Sequence, residues 1–152
     1  MSSFTDVVLF YFTIPVCPVG WVYGHTKCFL IVNPPTNVDW KTTRDYCNGL
    51  EAVTTGNGET VEPSLLFIEN VEEYDLLKPH VSEPRFWINC NFIKTWMCYT
   101  DRAGTTSDYR NWRPNRPVTG NKCVVMWTSN GQMNDRSCSN ADPTTTVCQA
   151  KL

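Results

Sequence analysis

The sequence has no long apolar run, no internal repeat or low-complexity tract, and only two histidines, His25 and His80. The longest hydrophobic stretch, Val7 to Val16, falls short of the about 20 residues that a membrane-crossing helix needs. It would suit the core of a signal peptide, but no basic residue precedes it. Its β-branched and aromatic residues, stopped by Pro15, favour a strand over residues 1–16, with a signal or linker remnant as the second reading. A membrane anchor, where the protein uses one, is then expected beyond these residues. G-x-S-x-G, H-E-x-x-H and P-loop motifs are missing, and the histidines stand alone, so no enzyme and no cofactor are expected. There is no excess of positive charge: the net charge is −2 and the pI about 5.6, which argues against a nucleic-acid partner. No Asn-x-Ser/Thr acceptor is present for N-glycosylation. Cysteine pairs two to four residues apart are also missing, which argues against zinc, since thiolates must converge on one small ion.

Cysteine itself is plentiful. Eight in 152 residues, an even number, predict disulfides and an oxidising compartment, hence a secreted or cell-surface chain. The length suits one domain with one real core, placed over residues 17–152. Charge is divided unevenly: residues 1–84 carry 4 Lys/Arg against 11 Asp/Glu, and residues 85–152 carry 9 against 4. That layout predicts a basic face, unless the two halves neutralise each other on folding.

Periodicity outlines the elements. Val22-Tyr23 and Cys28 to Val32 read as short strands after a turn at Pro18 to Trp21. Apolar positions between Val38 and Leu50 fall on helical spacing, with Asn37 or Asp39 as cap. Residues 51–64 have loop chemistry, and Leu65 to Ile68 read as a buried strand. Asn70 caps a second helix through Leu77, with Glu72 and Glu73 placed where the helix dipole and solvent favour them. Lys78-Pro79 ends it. Phe86 to Asn89, Thr95 to Tyr99, Cys123 to Trp127 and Thr144 to Ala150 read as strands, with a turn at Asn130-Gly131. A polar loop spans Thr100 to Asn121. Helices in the first half and strands in the second predict an α+β domain, with Trp21, Trp40, Trp87 and Trp96 in its core.

Several pieces in this order carry a resemblance: Cys17 to Trp21, Trp40 with Cys47, Leu65 to Asn70, Phe86 to Asn89, Asn111-Trp112, Cys123 to Met126, Asn134-Asp135 before Cys138, and Val147-Cys148. Over about residues 17–150 the chain resembles the C-type lectin-like domain. The resemblance implies two helices, antiparallel sheets and a long irregular loop region. It also implies the bridges Cys47–Cys148, Cys123–Cys138 and Cys17–Cys28, which leaves Cys90–Cys98 as a fourth. Met133 stands where the family usually has Trp, a tolerable apolar exchange.

The family's sugar site is built on calcium, which needs six to eight converging oxygens. Where the resemblance places a Glu-Pro-Asn or Gln-Pro-Asp triplet, a Glu and an Asn-Asp pair, this chain has Arg116-Pro117-Val118, Asn121 and Asn134-Asp135. Only the last pair matches. A guanidinium in place of a ligand repels a divalent ion by several kcal/mol per unit charge at about 4 Å, and Val118 offers no ligand. No metal is therefore expected at this site. Asp101 and Asp108 are candidate accessory ligands, more plainly read as solvated loop acids.

The expected ligand-binding residues are Arg110, Arg113, Asn115, Arg116, Lys122, Trp127, Asn134 and Asp135. Arg forks match carboxylate and sulfate, and Arg beside aromatics is typical of protein interfaces. The leading expectation is calcium-independent recognition of an extracellular protein or an anionic glycan through residues 108–136. The alternatives are a calcium-dependent lectin with an unusual site and a scaffold domain with an idle ligand face. In a blander reading Trp112 is core and Arg116 pairs with Asp135.

Overall fold

The computed structural model describes residues 16–36, 38–141 and 144–152. The expected strand or signal remnant at the N-terminus falls, except for Val16, outside the described residues. Among the described residues ten strands and two helices follow in the order β1 (Val22–Tyr23), β2 (Lys27–Thr36), α1 (Trp40–Asn48), β3 (Val53–Thr54), β4 (Thr60–Val61), β5 (Ser64–Leu65), α2 (Val71–Leu77), β6 (Arg85–Phe92), β7 (Trp96–Cys98), β8 (Cys123–Trp127), β9 (Met133–Arg136) and β10 (Thr144–Lys151). The main sheet runs β1-β2-β10-β6-β8-β9, with β5 on β10 and β7 on β6. Among the described residues the named strands pair antiparallel except for β10 with β6, at Thr145 and Phe86.

Both helices begin where a side chain supplies the missing hydrogen-bond acceptor. Asp39 Oδ1 accepts from the Thr42 N–H at 2.8 Å, and Asn70 Oδ1 from the Glu73 N–H at 2.9 Å. A 3-10 turn over Lys78–His80 prolongs α2 by one turn past the expected end, since Pro79 near a helix start needs no donor partner. The loop expected over residues 51–64 holds the small hairpin β3–β4, and the strand expected over Leu65 to Ile68 is regular only at Ser64–Leu65. Beyond it the Phe67 N–H is taken by the Gln149 side chain instead of a ladder carbonyl.

Strand alternation on β6 separates two of the three core clusters. Phe86, Ile88 and Cys90 of β6 point into one cluster with Phe67, Val124, Met126 and Met133. Trp87 points the other way, to Trp40, Cys47, Leu65, Val125 and Cys148. Each fully buried large apolar side chain contributes about 1.5–3 kcal/mol. The indole N–H groups of the two most deeply placed tryptophans are satisfied inside: Trp40 donates to the Ile88 carbonyl at 2.9 Å and Trp87 to that of Val38 at 3.1 Å. Trp21 and Trp96 are only half-buried at the core's edge, which corrects their expected place. The four disulfides are Cys17–Cys28, Cys47–Cys148, Cys90–Cys98 and Cys123–Cys138, as expected.

Candidate functional site

Strand β9 and the irregular segment before β8 bring most of the predicted site residues along the β8–β9 edge of the sheet. Asp135 lies opposite Val124 in the β8–β9 ladder, so its carboxylate is buried, 1% exposed. A buried carboxylate must be paired or hydrogen-bonded, and this one is both. Arg116 reaches Oδ1 at 3.4 Å, and the Val118 N–H donates to Oδ2 at 3.1 Å. Between those two residues the Arg116–Pro117 peptide is cis. Asn121 adds a hydrogen bond to the Asp135 main-chain carbonyl at 3.3 Å. Asn134, 4% exposed, keeps its Oδ1 buried without a partner. These side chains line a cleft of about 320 Å³ that Arg136, Ser137 and Asn140 complete.

Arg113 belongs to a neighbouring cleft of about 390 Å³, with Pro114, Trp127 and Gln132. Its guanidinium carbon lies 5.5 Å from the Trp127 ring centroid, and that of Arg85 lies 5.8 Å away, so two cations face one indole. Asn115 is exposed, with φ at 64°, at the tip of the turn between Arg113 and Arg116. Lys122 is exposed and lines a third cleft, of about 390 Å³, with Phe92, Trp96 and residues Pro117 to Asn121.

Arg110 stands apart from these. Its guanidinium donates to the carbonyls of Ser107 and Tyr109, both at 2.8 Å, and of Trp96 at 3.2 Å. Burial pulls its pKa down from the ordinary value, with Asp108 opposing, and the group ties the loop to β7. Asp101 is likewise engaged within its own loop: its Oδ1 accepts the Thr105 N–H at 2.9 Å. Burial raises its pKa, but the hydrogen bonds from Thr105 and Gly104 bring it below the ordinary value.

The apolar third cleft was not anticipated. Trp96 stacks edge-on with Trp112, ring centroids 5.2 Å apart, and tilts against Phe92 at 5.5 Å. Phe92 and Val118 are exposed in its walls. The two aromatics at positions 92 and 96 that flank the turn into β7 were the available signal. Sequence reasoning placed Trp96 in the core and passed over Phe92.

The fold is thus a sheet stapled by four disulfides, with Arg110, Arg113, Arg116 and Trp112 in the irregular segment before β8. The sequence model of the family described as Lectin C-type domain matches residues 36–150, and the chain belongs to that family of binding domains. It is 26% identical over 136 residues to ladderlectin of Oncorhynchus mykiss, covering 84% of this chain and 65% of that one. It is 51% identical over 60 residues to versican core protein of Bos taurus, 35% of this chain and 2% of that one. Its length thus spans under two thirds of these relatives. The carbohydrate-recognition domain of cow CD23 superimposes with a TM-score of 0.68 at 24% identity, over 91% of this chain and 98% of that one. A calcium-independent type II antifreeze protein does so with 0.67 at 24%, over 90% and 96%. At that identity these structures bear on the fold alone.

Proposed function

We propose that this domain is an extracellular module that recognises an acidic protein surface or an anionic glycan without calcium, through the face formed by residues 108–136. The observation that carries the reading is the pairing of Arg116 with the buried carboxylate of Asp135. The carboxylate that would ligate a metal already holds a guanidinium and a main-chain N–H. Asn134 Oδ1 is one unpartnered acceptor against the six to eight that calcium requires. The residues present therefore do not fit calcium.

Metal-free recognition then falls to the exposed cations. Among the described residues no ion pair engages Arg113 or Lys122. Arg113 offers a planar fork over an indole, a combination that serves carboxylate and sulfate groups and is enriched at interface hot spots. The adjoining apolar groove at Phe92 and Trp96 favours a protein side chain among such partners. The four disulfides suit secretion or surface display.

A glycan array containing sulfated and sialylated members, with a parallel array of extracellular proteins, tests the reading when run with calcium and with chelator. Binding is expected to be the same in both, and Arg113→Glu with Lys122→Glu should weaken it at least ten-fold. Binding abolished by chelator, or calcium uptake at micromolar to low millimolar concentration in a titration, overturns the reading.

A further inference from the structure

The apolar cleft of about 390 Å³ at Phe92 and Trp96 takes its walls from two parts of the chain. One is the β6–β7 hairpin. Phe92 and Trp96 are partners across it, their rings tilt against each other at 5.5 Å, and the Trp112 ring stands edge-on to Trp96 at 5.2 Å. The other wall is Pro117 and Val118. Asp135 fixes it, because its buried carboxylate holds Arg116 at 3.4 Å just before Pro117 and the Val118 N–H at 3.1 Å just after. Lys122, also in the lining, is anchored by its main chain: its carbonyl accepts the Phe92 N–H at 2.8 Å, and its N–H donates to the Arg136 carbonyl at 3.3 Å. Both walls are therefore tied to the sheet in advance, and a preformed cleft loses little freedom on binding.

Single exposed apolar side chains are ordinary, but Phe92 and Val118 are exposed within one concave surface. The charge around it has one sign. Lys122 in the lining and Lys94 in the turn joining Phe92 to Trp96 are exposed, and among the described residues no ion pair engages either. No Asp or Glu lines this cleft, and Arg116 already neutralises the buried Asp135. An apolar floor beside uncommitted ammonium groups is complementary to an apolar group with negative charge on either side of it.

Three kinds of occupant carry such chemistry, and the walls favour one. An anionic glycan would lay hydroxyls over Phe92, Trp96, Pro117 and Val118, whose side chains offer no hydrogen bond to them except from the Trp96 indole. An anionic bilayer takes up apolar side chains that project from a surface, whereas these rings pack on one another around a recess. A protein side chain suits a recess at the small end of the about 300 to 1,000 Å³ of ligand clefts, and an apolar anchor in a pocket is typical of interface hot spots. Resting on the reading of this domain as a binder of acidic partners, we propose that the cleft takes one aromatic or branched aliphatic side chain of an extracellular protein segment. Asp or Glu residues on both sides of that anchor pair with Lys94 and Lys122.

Fluorescent nonapeptides with a central Phe, Leu or Trp flanked by Asp and Glu, titrated into the intact domain in chelator, test this beside Ala-centred and Lys-flanked forms. At least one acidic, apolar-centred peptide should bind at least ten-fold more tightly than its Ala-centred form and shift the Trp96 indole signal in NMR. Phe92→Ser with Val118→Ser should weaken it at least ten-fold. If that variant does not fold, Lys94→Glu with Lys122→Glu, both on exposed side chains, should transfer the preference to Lys-flanked peptides. Acidic-peptide binding that Arg113→Glu abolishes and Phe92→Ser with Val118→Ser leaves intact overturns the cleft and spares the arginine face. Array binding lost in chelator removes the metal-free reading instead, while these titrations, made in chelator throughout, still decide the cleft. No preference for an apolar centre, no effect of the cleft variants, or binding to phosphatidylserine vesicles with none to any peptide overturns the proposal.

Discussion

Lys27 has no exposed side-chain surface, yet it carries a charge into the protein with three acceptors around it. Its ammonium lies 2.8 Å from Glu69 Oε2 and 3.1 Å from Glu73 Oε2, and donates to the Phe67 carbonyl at 2.7 Å. Glu73 was expected to sit in solvent at the helix front and is instead 4% exposed, because α2 turns its first-turn carboxylate onto Lys27. Burial raises the pKa of Glu69, but the hydrogen bonds and charges of Lys27 and Lys151 outweigh it and leave the carboxyl below its ordinary 4.5. A carboxyl lowered in the folded chain stabilises fully above its unfolded value and loses that contribution as pH falls through the folded one. Stability of the native domain should therefore decline below pH 4.5, and Glu69→Gln should show a shallower decline in that acid window. Urea unfolding across neutral and acidic pH measures both slopes, and equal slopes would remove Glu69 from the account.

Arg110 and Arg113 are three residues apart and look alike as letters, but the elements around them assign different work. Arg113 opens a turn and lies over Trp127, whereas Arg110 crosslinks its own segment to the end of β7 through three carbonyls. Hydrogen bonds from a charged donor contribute about 1.5–3 kcal/mol. Arg110→Ala should destabilise the domain by about 2 kcal/mol and loosen residues 107–112 in hydrogen exchange, while Arg113→Ala should leave stability within about 0.5 kcal/mol. Similar losses from the two would contradict this division. The helices were legible because Asp39 and Asn70 are caps followed by periodic apolar positions. β3 and β4 were hidden because strands of two residues show no alternation. The charge of the loop was legible too, but which arginines stay uncommitted depends on Trp96, 14 residues from Arg110. The aromatic groove escaped notice for the same reason: an aromatic at a strand end reads as core until its neighbours are placed.

Over the whole molecule, cations of the second half reach back to acids of the first. Arg102 stands 3.7 Å from Glu62 and Lys151 3.4 Å from Glu69, so part of the charge asymmetry is neutralised on folding. What ties the halves together more firmly is Cys47–Cys148, which joins α1 to β10 over a sequence separation of 101. A crosslink stabilises chiefly by restricting the unfolded chain, by about 4.7 kcal/mol for a loop near 100 residues and about 3 kcal/mol for one near 15. Cys17–Cys28, with a separation of 11, should then contribute less than Cys47–Cys148. Against a total stability of about 5–15 kcal/mol, loss of the long bridge removes a large share. Cys47→Ser with Cys148→Ser should lower the unfolding midpoint well below that of Cys17→Ser with Cys28→Ser, in thermal or denaturant melts. Equal midpoints would mean that strain and packing around each bridge, and not loop length, set its contribution.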